Sequence, residues 1–139
     1  MFGPITIPFD AKILVNTLKL KLGVAMEDVE LAMGEMCNVV KEHYGGSHGG
    51  FIAGQVLKYS GFVSAEGSLN RTREPDHDIA IVTYWRSFEE HERSHADELF
   101  HLKFAALGEL CTESRELGYE LLWQRSEEHT SELQSRFGI

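Results

Sequence analysis

Ile79-Ala80-Ile81-Val82-Thr83-Tyr84-Trp85-Arg86-Ser87-Phe88-Glu89-Glu90-His91-Glu92-Arg93-Ser94-His95 decides how the rest of the chain is read. The first seven residues are β-branched and aromatic, which suits a strand. Ser87-Phe88-Glu89-Glu90 then fits a capping box, Ser at the N-cap and Glu three residues on, so a helix starts there. The apolar residues Leu99, Phe100, Phe104, Leu107 and Leu110 carry that helix, with possible breaks, to about Cys111. It holds His91, His95 and His101, three of the 7 histidines of the chain.

Working outward, Ile13 to Leu20 reads as a first strand, with Leu14, Asn16, Leu18 and Leu20 on one face by alternation. Glu27 to Tyr44 reads as a helix, because Val29, Met33, Met36 and Val40 recur at helical spacing. The glycine-rich turn at residues 45–50 ends it. Phe51 to Tyr59 reads as a second strand, with Phe51, Ala53, Gln55, Leu57 and Tyr59 sharing a face. Ser60 to Asp76 is polar and reads as a long connection, of a length uncommon unless functional. Asp78 to Trp85 is the third strand and Leu117 to Gln124 the fourth. The order β-α-β-β-α-β predicts an α+β, ferredoxin-like domain: a four-stranded antiparallel sheet with both helices on one face. The other face carries enough large apolar residues to predict a homodimer, the dimeric α+β barrel.

The 139 residues suggest one domain, and 42% hydrophobic content is enough for a core. A formal net charge of -9 argues against nucleic acid and anionic membrane as partners, which need clustered Lys and Arg. Nothing approaches the length of a membrane span, and Met1 to Asp10 lacks the features of a secretory signal. Cys37 and Cys111 fall in predicted helices and read as small core residues of a reduced, cytoplasmic protein. Arg125 to Ser135 resembles translated sequencing-adapter sequence. Residues 125–139 are therefore read as non-native, residues 1–124 as the domain, and the source as microbial, most simply bacterial.

With these elements placed, the chain resembles the antibiotic biosynthesis monooxygenase-like family. Ile81-Val82-Thr83-Tyr84-Trp85, the Ser-Phe-Glu-Glu helix start, His95 and Phe100, and Gly50-Phe51-Ile52-Ala53-Gly54-Gln55 carry the resemblance. It implies a small oxidoreductase or isomerase acting on an aromatic or quinol-like molecule without metal or flavin. The family's haem-degrading branch uses an Asn on the first strand with a Trp and a His on the second helix. Asn16 matches, but Ser94 and Phe104 stand at the other two places, which does not fit haem degradation.

His91 and His95 share one helical face. Three readings stand: a solvated polar face, a substrate pocket in which His95 or His91 is the general base, or a metal site. His91-Glu92-Arg93-Ser94-His95 is literally the zinc-peptidase pattern. However, Glu98 stands where a Gly would allow the turn to a third ligand. On a continuous helix His101 would point about 80° away from His91. His91, His95 and Glu98, or His101 in its place, form the divalent-metal alternative to a cofactor-free site. Asn16 is either a satisfied buried amide or the group that orients a substrate oxygen. Tyr84 and Trp85 face opposite ways; they belong to the core or interface, or pack against a substrate ring. Gln55, His77 and Glu120 are candidate polar groups by strand position alone. A non-catalytic small-ligand-binding dimer is the remaining reading.

Overall fold

The computed structural model describes residues 3–45 and 49–125. The adapter-like tail beyond Arg125, including His129, and positions 46–48 of the glycine-rich turn lie outside the described residues. The elements are β1 (Lys12–Leu20), α1 (Met26–Tyr44), β2 (Phe51–Lys58), β3 (Phe62–Val63), β4 (Leu69–Asn70), β5 (Ile79–Trp85), α2 (Phe88–His95), α3 (Glu98–Gly108) and β6 (Cys111–Glu120). Sheet order is β2-β5-β1-β6, and every pairing is antiparallel. This is the ferredoxin-like α+β arrangement.

Alternation along β1 decides which way the sheet packs. Leu14, Asn16 and Leu18 are buried, while Ile13, Val15 and Thr17 between them are half-exposed. The same period in β5 turns Ile79, Ile81 and Trp85 inward. Val29, Met33, Met36, Val39 and Val40 of α1, with Phe100 and Leu107 of α3, close the core against them. The opposite face carries Val15 between Val82 and Leu117, and Ile13 between Tyr84 and Tyr119. Tyr119 is 49% exposed and Leu57, further along that side, 50%. This open apolar face is the one the sequence pattern assigned to dimerisation.

Several expectations change. The second helix is two helices: Asp97 accepts hydrogen bonds from the backbone N–H groups of Leu99 and Phe100, a new N-cap that starts α3. The last strand begins at Cys111 rather than Leu117, because its backbone pairs with β1 through residues that look polar in sequence. Cys111 thus opens a strand and is buried, whereas Cys37 on α1 is exposed. A bulge between Phe51 and Ala53 breaks the single face expected for β2 and brings the Phe51 ring edge-on to Trp85 at 5.4 Å. The long connection folds back on itself as the β3–β4 hairpin.

Candidate active site

The site forms where β1 and β6 pass beneath α2. Asn16 and Glu116 are direct partners in the antiparallel ladder, so both side chains rise on the helix side of the sheet. Ser87 starts α2 by accepting a hydrogen bond from the Glu90 N–H at 3.2 Å. Its hydroxyl donates to the Glu90 carboxylate, which also pairs with Arg86. One turn later His91 points down between Trp85 and Glu116, and His95 follows on the same face.

Asn16 Nδ2 donates to Glu116 Oε2 at 2.7 Å. His91 Nε2 lies 3.1 Å from the same oxygen, and His95 Nε2 lies 3.3 Å from Oε1. The two imidazole nitrogens are 3.0 Å apart. Burial alone would raise the Glu116 carboxyl. The hydrogen bonds and charges of His91 and His95 outweigh it and hold the group well below the usual carboxylate range. Trp85 backs His91 edge-on at 5.3 Å. Phe100 stands 5.0 Å from His95. His91 is 8% exposed, and the His95 side chain 32%. Of the two histidines, His95 therefore offers a ring nitrogen to an incoming molecule more readily.

A cavity of about 760 Å³ opens above this group, between the sheet and helices α1 and α3. Met36, Phe51, Ile81, Phe100 and Phe104 give it apolar walls, and Asn16, His91, His95 and Glu116 cluster in it as polar groups. An apolar chamber of this size with a few convergent polar groups is the usual form of a small-molecule site.

The structure thus brings Asn16, His91, His95 and Trp85 together and separates the other candidates. Tyr84 faces the opposite side of the sheet, as strand alternation requires once Trp85 is inward, and donates its hydroxyl to Gln55 Oε1 at 2.8 Å. Gln55 reaches the cavity lining, but that oxygen is engaged by Tyr84. Glu98 and His101 are both exposed on α3, beyond the helix break at Asp97, and neither lines the cavity with His91 and His95. His77 lies before β5 and does not line the cavity. Glu120 is tied to Lys12 at 2.8 Å. Glu116 escaped the sequence reading because the strand holding it was started at Leu117, just past it, rather than at Cys111. Pairing the Asn16 strand with Thr112-Glu113-Ser114-Arg115-Glu116 would have placed the two opposite each other.

The helix break is held by a second polar contact. Tyr44 donates its hydroxyl to Asp97 Oδ2 at 2.8 Å. Burial first, then the hydrogen bond and charge of Asp97, push the Tyr44 phenol up from 10.0 to about 12. A raised phenol keeps its proton longer in the folded than in the unfolded chain. Its stabilising contribution is therefore complete below pH 10 and is lost as pH rises to about 12. Urea unfolding of the wild type and of Tyr44→Phe on either side of pH 10 checks this. The Phe variant should lose that part of the alkaline decline.

No family model matches the chain, and no curated protein matches it by sequence. Solved structures do. A mutant of SnoaB, a cofactor-independent oxygenase from Streptomyces nogalater, matches with TM-score 0.64 at 17% identity, over 85% of this chain and 99% of that one. An antibiotic biosynthesis monooxygenase from Caulobacter crescentus CB15, its activity inferred, matches with TM-score 0.58 at 14% identity, over 83% and 93%. A dimeric ferredoxin-like protein of unknown function from Jannaschia sp. CCS1 matches with TM-score 0.61 at 10% identity, over 79% and 98%. Among the described residues no helix is long and apolar enough to cross a membrane. The chain has the ferredoxin-like α+β fold of the antibiotic biosynthesis monooxygenase-like structures.

Proposed function

We propose that this chain is a homodimeric, cofactor-independent monooxygenase, or a related isomerase, acting on a small aromatic or quinol-like molecule. The observation that carries the reading is the cluster of His95, Asn16 and Glu116 in a predominantly apolar cavity. His95 takes a proton from an activated hydroxyl or C–H group, since an imidazole is suited to proton abstraction near neutral pH. Glu116, which accepts from Asn16 and lies 3.1 and 3.3 Å from the ring nitrogens of His91 and His95, stabilises the imidazolium that forms. His91 relays that support from its buried position. A ring held between Phe51, Phe100 and Phe104 would lie over the base. The resulting delocalised carbanion passes one electron to dioxygen, the radical pair joins as a C–O bond, and the peroxide, protonated by the imidazolium, loses water to leave a carbonyl, so the substrate itself supplies every electron. SnoaB, whose fold this chain shares, is a cofactor-independent oxygenase.

The open apolar face of the sheet supports the dimer, as do neighbours described as dimeric ferredoxin-like proteins. We take the native domain as residues 1–124. Free Cys37 and Cys111 suit a reduced bacterial cytoplasm. The test is oxygen uptake by chelator-treated protein with a panel of hydroquinones and polycyclic phenols, with products followed by mass spectrometry. Enzyme-dependent uptake with at least one phenol is expected. Absence of both uptake and isomerisation across the panel would remove the reading and leave a ligand-binding dimer.

A further inference from the structure

The two ring nitrogens and the two oxygens of one carboxylate crowd together: the nitrogens lie 3.0 Å apart, His91 Nε2 lies 3.1 Å from Glu116 Oε2, and His95 Nε2 lies 3.3 Å from Glu116 Oε1. Protons satisfy this group poorly. Each imidazole nitrogen presents either one N–H or one lone pair. If both nitrogens carry protons, two donors face each other at 3.0 Å. If only His95 carries one, the lone pair of His91 faces a carboxylate oxygen at 3.1 Å, and the mirror case fails in the same way at His95. If neither does, two nitrogen lone pairs and the carboxylate face one another. A cation between His91, His95 and Glu116, whose ligand atoms all lie within 4.8 Å of one another, satisfies both nitrogens and the carboxylate.

The dimensions agree. An ion about 2.1 Å from each nitrogen and oxygen donor sets neighbouring donors about 3.0 Å apart in octahedral and about 3.4 Å apart in tetrahedral coordination. The nitrogen–nitrogen distance of 3.0 Å and the nitrogen–oxygen distances of 3.1 and 3.3 Å, one to each carboxylate oxygen, fall in that interval. Asn16 fixes the carboxylate by its 2.7 Å hydrogen bond, as outer partners of metal ligands do. We propose that His91, His95 and Glu116 bind one divalent first-row transition-metal ion. Two imidazoles and a carboxylate suit zinc, iron, manganese or cobalt rather than magnesium or calcium. His95 and Glu116 both line the cavity, so the open coordination positions face the space where an oxygen-bearing ligand would enter.

The inference goes beyond the cofactor-free reading and depends on it only for the effect on turnover. An ion on the ring nitrogen of His95 removes the lone pair that proton abstraction uses.

Cobalt(II) titrated into the chelator-treated full chain reads binding through its visible absorption. A saturable band at one cobalt per chain is expected, displaced by zinc. His95→Ala and Glu116→Ala should each weaken binding by more than the roughly 10–100-fold that loss of an outer partner costs, and Asn16→Ala by an amount within that range. His77→Ala and His101→Ala should bind as the wild type does. Unfolding temperatures guard against misfolding, and His95, at the partly exposed position, is the safer variant. No saturable band, or a band unmoved by both ligand variants, overturns the site. Oxygen uptake separates the two proposals. Uptake suppressed by one equivalent of zinc supports both. Uptake that requires the metal keeps the site and removes the cofactor-free mechanism. Cobalt binding lost with uptake retained in chelator removes the site alone.

Discussion

His95→Ala lowers kcat/KM for an accepted quinol by about 10²–10⁴-fold, the usual worth of a positioned general base. The loss should fall mainly on kcat, because the aromatic walls that hold the substrate stay in place. Stability should change little. The side chain is 32% exposed, and its removal leaves the Glu116 carboxylate with Asn16 and His91 as partners. Glu116→Gln tests the same device from the other side. The amide no longer offsets an imidazolium, so turnover falls although the shape is kept. Because the two residues act as one unit, the double variant should lose far less than the product of the two single losses. Additive losses would show that His95 and Glu116 serve separate steps. His101→Ala, exposed on α3, is the control and should turn over as the wild type does. Full turnover in His95→Ala, with the variant folded, would remove the base from this position.

What the sequence disclosed of this site followed the strength of its local signals. Alternation in β1 and β5 and helical spacing in α1 are periodic patterns enforced by a one-sided core, so those elements were legible. So was Asn16, a polar residue at an inward position among leucines. The pairing of His91 and His95 was legible for the same reason, since residues four apart on a helix must share a face. Their third partner was not. In β6, Cys111 is buried and the residues after it are exposed or half-buried, so the strand has no apolar stripe and is held by its backbone ladder to β1. A ladder leaves little trace in side-chain chemistry, and Glu116 was hidden with it. Asp97 was also overlooked as a cap, because the histidine pattern invited a continuous helix. A continuous helix would have kept Glu98 on the His91 face. The partner that both imidazoles meet, Glu116, lies 25 residues from His91 in sequence, across the sheet.

Trp85→Ala destabilises the domain by about 3–5 kcal/mol, the usual cost of removing a large aromatic from a packed core. Few residues of this chain are as closed off: Trp85 is 2% exposed. Its ring meets Phe51 and His91 edge-on at 5.4 and 5.3 Å, and Tyr44 at 6.4 Å. Its indole N–H donates to Thr83 Oγ1 at 2.9 Å. Truncation therefore opens a cavity and removes a hydrogen bond at once. Against a typical total of about 5–15 kcal/mol, that is about a fifth or more of the stability of an ordinary domain. Urea unfolding should show a lower midpoint with an unchanged slope. Trp85→Phe restores much of the volume but not the N–H, and should recover most of the loss. The same residue joins core to chemistry, because it is the wall against which His91 is held. Trp85→Phe should accordingly be nearly as stable as the wild type, yet turn over more slowly and bind cobalt more weakly. If Trp85→Phe kept both activity and metal affinity, His91 would owe its position to α2 alone. The helix start at Ser87, rather than the strand before it, would then be what builds the site.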